Sequence, residues 1–314
     1  MIRSVLCDIL GIEKPIFQGG MAWIADARLA AAVSEAGGLG LISSINADVR
    51  AEIRRARELT RKPFGVNIML AAPNAAEVAD IVVEEGVRVV TTGAGSPAPY
   101  MERWLQAGIR VIPVVASVAY AIKMQQLGAT AVIAEGAESG GHVGDIHTLA
   151  LVPQVVDAVD IPVLAAGGIA DGRGAAAAFL LGACGVQVGA RFLVADECRV
   201  HEVYKERILK ASDIGTIVTG KSLGDAVRSL KTPFSKQFAK MEADPSVTDD
   251  ELRAFGTGSL KKAVFDGDLA GGSFLAGESA GLVSRRESAA AIVNDIMDGA
   301  QMLLSHANDL LYGS

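Results

Sequence analysis

The chain has 314 residues, half of them apolar, which excludes a disordered protein and is enough for one large core or two domains. A formal net charge of −7, with an isoelectric point near 5.2, makes nucleic acid a poor partner. The three cysteines, Cys7, Cys184 and Cys198, form no CxxC pair and no metal-like cluster, so neither a disulfide framework nor a zinc site is expected and a reducing cytoplasm fits. Asp8, Glu13 and Lys14 interrupt any export signal at the N-terminus. The longest near-apolar run, AAAAFLLGACGVQVG from Ala175, holds interior glycines and is too short to cross a bilayer, so a soluble protein without a membrane partner is expected.

Short apolar runs alternate with helix-like stretches from the start. KPIFQGG, from Lys14, reads as a strand ending in glycines, and ADARLAAAVSEAGG follows as a helix closed by Gly37. LGLISS is the second strand, with AEIRRARELTRKP as its helix, stopped at Pro63. FGVNIML is the third strand and AAEVADIVVEEG its helix; VRVVTTGAG and IRVIPVVAS are the fourth and fifth, backed by PYMERWLQAG and AYAIKMQQLG. AVIAEGAESGGHVG, from Ala131, supplies the sixth strand and a glycine-rich loop, with LALVPQVVDAV behind it. IPVLAAGGIADG with RGAAAAFLLGA, then GVQVGARFLV, complete the series. These strands are continuous Val/Ile/Leu runs rather than alternating ones, which means burial on both faces of a parallel sheet. Eight β–α units at a spacing of roughly 25 residues predict an α/β fold of the (β/α)8 TIM barrel type. An open dinucleotide-binding sheet fits less well: GAGSPA at Gly93 breaks the GxGxxG pattern, and GLG at Gly38 follows a helix.

After Asp196 the pattern changes. Residues 197–241 carry nine Lys/Arg against five acids, a basic segment in an acidic protein, followed by the turn-rich EADPSVTDDE. The segment reads as a helical insertion on the C-terminal face of the barrel. The expected division is a barrel formed by 1–196 and 274–314, with 197–273 as a small subdomain. An amphipathic helix, SAAAIVNDIMDGAQMLL, follows and is expected to close the barrel.

Ligands of such barrels sit at the C-terminal ends of the strands, with phosphate near the loops after strands seven and eight. Both loops are glycine-rich here: GGIADGRG at Gly167 and QVGAR at Gln187. Main-chain N–H groups of Gly168 and Gly189 make a ready anion site. Strand one ends in Gly20, Met21 and Ala22, where a flat ring can lie against backbone, and strand three carries Asn67, an amide able to meet a ring edge. Taken singly, Met21 fits a core and Asn67 a helix cap. His142 follows Gly140 and Gly141 at the barrel mouth and is the candidate proton-handling group. His147, His201 and His306 read as surface positions.

Together, KPIFQGGM, PFGVNIM, AVIAEGAESGGHVG, IPVLAAGGIADG and GVQVGARF resemble the FMN-dependent 2-nitropropane dioxygenase-like superfamily, closest to its bacterial enoyl-[acyl-carrier-protein] reductase II branch. The resemblance implies that His142 is catalytic. It places Gly20, Met21 and Ala22 against the isoalloxazine, Asn67 and Glu135 at its polar edge, and Ser139, Gly140 and Gly141 along the ring or ribityl chain. Gly167, Gly168, Gln187, Gly189 and Ala190 would hold the phosphate. Relatives often carry Thr where this chain has Ala190, so that position can offer only backbone. The cofactors implied are FMN with NADH or NADPH as co-substrate and, for the branch, a monovalent cation; the branch also implies a homodimer. The expected activity is reduction of trans-2-enoyl thioesters on acyl carrier protein or CoA, in bacterial fatty acid synthesis. The alternative is a nitronate monooxygenase. Glu135, where monooxygenase relatives usually carry Gln, and Val143, where they often carry Arg, favour the reductase. The basic insertion would also receive an acidic carrier protein.

Overall fold

The runs expected as strands all form, and all are parallel. The computed structural model describes residues 2–45 and 48–307, so 308–314 of the expected second barrel segment lie outside the described residues. In chain order the strands are β1 (Ile16–Gln18), β2 (Gly40–Ser43), β3 (Phe64–Met69), β4 (Val89–Gly93), β5 (Arg110–Val115), β6 (Val132–Glu135), a two-residue β7 (Gly141–His142) outside the barrel, β8 (Val163–Ala166) and β9 (Gly185–Val188). The eight barrel strands follow the order β1-β9-β8-β6-β5-β4-β3-β2. Closure comes from the main chain: Leu39 N–H donates to Ile16 O at 2.9 Å and Gln18 N–H to Leu39 O at 3.0 Å. The strands thus form a (β/α)8 barrel.

Side-chain alternation explains why the strands read as unbroken apolar runs. Phe17, Leu41, Val89, Ile112, Ile133 and Leu164 fill the barrel interior. Their neighbours Ile16, Val132, Val163 and Val186 face helices on the outside, as do Ile42, Val66, Val90 and Val111. Each such fully buried side chain contributes roughly 1.5–3 kcal/mol.

A short helix not expected from the sequence, α1 (Val5–Leu10), precedes β1 and buries Leu6, Cys7 and Leu10 against the barrel interior. Helices α2 (Ala27–Glu35), α3 (Val49–Leu59), α4 (Ala75–Glu84), α5 (Ala98–Gln106), α6 (Val118–Gln126), α7 (Thr148–Ala158) and α8 (Gly172–Leu180) follow their strands. Asp26, Asp48, Ser117 and Asp171 cap α2, α3, α6 and α8 by accepting first-turn N–H bonds. The eighth strand stops at Val188, earlier than the run GVQVGARFLV implies, because Ala190–Val194 coil into a 3-10 turn.

The segment beyond residue 197 contains the expected helices: α9 (Glu202–Leu209), α10 (Pro233–Glu242), α11 (Asp249–Gly256) and a short α12 (Ser259–Lys261). Between α9 and α10 it also contains an antiparallel hairpin, β10 (Thr216–Thr219) and β11 (Val227–Leu230), which β7 joins as a third strand. Four-residue runs such as TIVT and VRSL are too short to declare a period, so the hairpin was hidden by length. The final helix, α13 (Ala289–Ser305), packs mainly on α8 and α2. Among the described residues no helix is long and apolar enough to cross a membrane, and no group of His, Cys, Asp and Glu is placed to hold a metal.

Candidate active site

Strand register gathers the polar candidates at one level. Asn67 pairs with Ser43 on one side and Thr91 on the other, while Ala166 pairs with both Glu135 and Gln187. At this C-terminal end lie two adjoining chambers of about 430 and 100 Å³. They share a wall that includes Gly20, Met21, Glu135, Gly140, Gln187, Gly189, Ala190 and Gly277. The wider chamber adds Ala22, Asn67, Gly141 and His142; the narrower adds Ser139, Gly167 and Gly168. The residues singled out in the sequence therefore all line one or both chambers.

The narrow chamber is mostly main chain. Gly167 and Gly168 sit at φ +91° and +74°, a left-handed conformation that exposes successive amides without a side chain in the way. Among the described residues that line it, the one ionisable side chain is Glu135, on the shared wall. Ser139 Oγ is buried there without a hydrogen-bond partner. That hydroxyl neighbours the Glu135 carboxyl and eases its ionisation. Gly140 is required for a different reason: a Cβ there would lie 2.5 Å from the Ala276 carbonyl carbon and 2.6 Å from Gly277 N. A flat apolar head in the wide chamber and an anionic tail among amides and hydroxyls match the shape and charge of FMN.

Asn67 is not a helix cap. It lies within β3, and its Oδ1 accepts from Thr91 Oγ1 at 2.9 Å, which fixes the amide against the chamber. Glu135 ends β6 in the shared wall, and burial pushes its carboxyl up to about 7, only partly offset by Ser139. Glu138, its loop neighbour, is structural: it accepts from Thr148 N–H at 3.0 Å and Thr148 Oγ1 at 2.8 Å, capping α7. Cys184 and Cys198 are pushed up to about 11 by burial and stay protonated thiols.

His142 is not in a loop but on β7, paired to the hairpin: His142 stands opposite Val227 and Gly141 opposite Arg228. Its Nε2 lies 2.9 Å from Asp225 Oδ1, a partner sequence reasoning missed. The other omission is the return segment before α13, whose Gly277 lines both chambers, Ala276 the wide one and Ser279 the narrow one. The glycines of GGSFLAG were its only sequence signal. Of the remaining histidines, His147 precedes α7, and His201 caps α9 by accepting from Val203 N–H at 3.2 Å.

The basic insertion is less free than its composition implies. Arg228 is buried, donates to Ala137 O at 3.0 Å and pairs with Glu278 at 2.9 Å, tying hairpin, flavin-side loop and return segment together. Lys205 is buried and donates to Ala195 O at 2.7 Å, and Arg207 donates to Lys231 O at 3.0 Å. Lys221, Lys236 and Lys240 remain exposed. Beneath Ala190, buried Arg191 pairs with Glu287 and, at 3.3 Å, with Asp295, fastening the narrow chamber's floor to α13.

Comparison with known proteins agrees with this arrangement. A family model described as nitronate monooxygenase matches residues 3–299. FabK from Thermotoga maritima is 47% identical, with a TM-score of 0.95 over 99% of this chain and 100% of that one. A (3aS,4S,5R,7aS)-5-hydroxy-7a-methyl-1-oxo-octahydro-1H-indene-4-carboxyl-CoA dehydrogenase from Mycobacterium tuberculosis is 41% identical over 237 residues, 74% of this chain and 67% of that protein. A probable nitronate monooxygenase from Staphylococcus aureus is 31% identical over 310 residues, 83% of this chain and 87% of that protein.

Proposed function

The chain belongs to the nitronate monooxygenase family, and on that premise we propose that it is an FMN-dependent enoyl-thioester reductase. Its substrates are trans-2-enoyl groups on acyl carrier protein or CoA, reduced with NADH or NADPH in the cytoplasm as a step of fatty acid synthesis. The observation that carries this reading is that His142 and the protonatable Glu135 line one largely apolar chamber. Met21, Val114, Leu193, Leu260 and Leu275 supply apolar wall for an acyl chain. On the resemblance, Glu135 and Val143 stand where monooxygenase relatives usually carry Gln and often Arg. The 47% identity to FabK and the CoA thioester in the mycobacterial relative's name support a thioester substrate.

Gly20, Met21 and Ala22 would face the ring, Asn67 and Glu135 its polar edge, and Ser139, Gly167, Gly168, Gln187, Gly189 and Ala190 the ribityl phosphate. Bound there, FMN supplies hydride transfer between the nicotinamide and the enoyl β-carbon. The apolar walls orient the acyl chain and exclude water. His142 supplies the proton that the α-carbon takes up, so hydride and proton together saturate the double bond. A nitronate monooxygenase remains the second reading, favoured by the family match and the staphylococcal relative.

The test is anaerobic. Purified protein should be yellow, be bleached by NADH or NADPH, and regain its colour on addition of a crotonyl thioester. A yellow protein that no nicotinamide bleaches would not be a nicotinamide-dependent reductase, and one that bleaches but ignores the thioester would not be an enoyl reductase.

A further inference from the structure

We propose that Asp225 is the positioning residue for His142, accepting the Nε2 proton so that Nδ1 is the ring nitrogen that exchanges a proton with substrate. The 2.9 Å contact joins side chains that are 50% and 57% exposed, and a surface pair of that kind is ordinarily worth little. Here, however, the backbone on both sides is fixed. Val143 N–H donates to Ala226 O at 3.0 Å, so the main chain directly after His142 is bonded to the main chain directly after Asp225. The register His142 opposite Val227 continues the pairing.

The turn carrying Asp225 is held at its other end too. Asp225 N–H donates to Gly220 O at 3.0 Å, and Glu242 of α10 accepts from Gly220 N–H at 3.0 Å and Ser222 N–H at 2.9 Å. The carboxylate is therefore presented by a closed turn, not by a free loop. A neutral imidazole has one N–H, and a carboxylate can only accept, so this contact puts the proton on Nε2. Nδ1 has no partner among the described residues and belongs to a side chain that lines the wide chamber.

The proton step then balances simply. When hydride has reached the β-carbon, the imidazolium Nδ1–H bond breaks and its proton joins the α-carbon. The imidazole is left neutral with its remaining proton on Nε2, held by Asp225, and Nδ1 is reprotonated from solvent. This step rests on the enoyl-reductase reading; the tautomer does not.

The experiment is ¹⁵N NMR of ring-labelled histidine in the FMN-loaded protein, simplified by there being only four histidines, with His142→Gln for assignment. The wild type should carry the neutral-state proton on Nε2, and Asp225→Ala should give a mixture of tautomers. In stopped flow, Asp225→Ala should bind FMN and be reduced by NADH as the wild type is, yet reoxidise on enoyl thioester about tenfold more slowly, less than the 10²–10⁴-fold typical of losing an acid–base group outright. Asp225→Glu should recover part of that rate. A wild-type proton on Nδ1, or a tautomer unmoved by Asp225→Ala, overturns the proposal, and the wild-type spectrum decides even should the variant lose its fold. A protein that ignores thioesters but shows the Nε2 tautomer would sink the reductase reading and leave the Asp225 assignment standing.

Discussion

At the floor of the site the surface offered to a ligand is main chain: Gly167, Gly168, Gly189 and the shared wall at Gly20 and Gly140. At the rim it is the His142 side chain, carried by β7 of a separate small sheet and backed by Asp225 between β10 and β11. The floor is fixed by barrel strands whose register the hydrophobic core dictates. The rim is fixed by a hairpin from the insertion and by Arg228, which bonds Ala137 O and Glu278. On the proposed reading, such a division separates holding a cofactor from moving a proton, so that each side should be open to damage without the other.

The sharpest separation is His142→Ala. Flavin content and reduction by NADH should persist while the enoyl-dependent step falls about 10²–10⁴-fold, read by stopped flow. Loss of flavin from that variant would mean that rim and floor are one structural unit. The floor's counterpart is Gly140→Ala. With backbone atoms 2.5–2.6 Å from the new Cβ, the return segment must shift, at about 1–3 kcal/mol. Flavin retention after dialysis should drop while the thermal transition stays cooperative; unchanged retention would show that the close approach of Gly140 to Ala276 does not shape the chamber.

Glu135 lies where floor and rim meet, and its burial predicts a pH effect. Its folded-state pKa, about 7, stands above the ordinary 4.5, so the folded state holds that proton more tightly than the unfolded chain does. The stability it contributes is full below about pH 4.5 and is lost as pH rises through about 7. Glu135→Gln cannot ionise, and flavin-free variant should gain on wild type between pH 5 and 8. After allowance for water in the chamber, the gain is on the order of 2 kcal/mol by denaturant titration. Parallel stability curves for the two proteins would show that the carboxyl is not desolvated.

The smallest effect lies outside both regions. Lys236 and Lys240 are one turn apart on α10 and exposed. Reversing both charges should raise KM for an acyl-carrier-protein substrate about 2–5-fold at low salt, leave the CoA substrate unaffected, and lose its effect at high salt. Equal changes for both carriers would deny the basic surface a docking role.

The contrast between floor and rim is also the contrast between what could and could not be read from residues alone. Barrel strands such as AVIA and VLAA are legible because burial on both faces leaves an unbroken apolar run, and Gly167 or Gln187 can be placed by counting from a strand's end. Asp225 could not be placed that way, since its meeting with His142 depends on a hairpin of two four-residue strands. α1 is not legible because VLCDIL is under two turns long, and its burial is decided by the barrel interior it meets. Glu135 was visible as a position, but its raised pKa comes from walls contributed by other strands.

The central claim is that this scaffold reduces an enoyl thioester. FMN-loaded protein can be given a crotonyl thioester with NADH in one vessel and propyl nitronate with oxygen in another, following NADH oxidation and oxygen uptake. The account predicts rapid thioester-dependent NADH oxidation and slight nitronate turnover. Efficient nitronate consumption with no reduction of the thioester would contradict it.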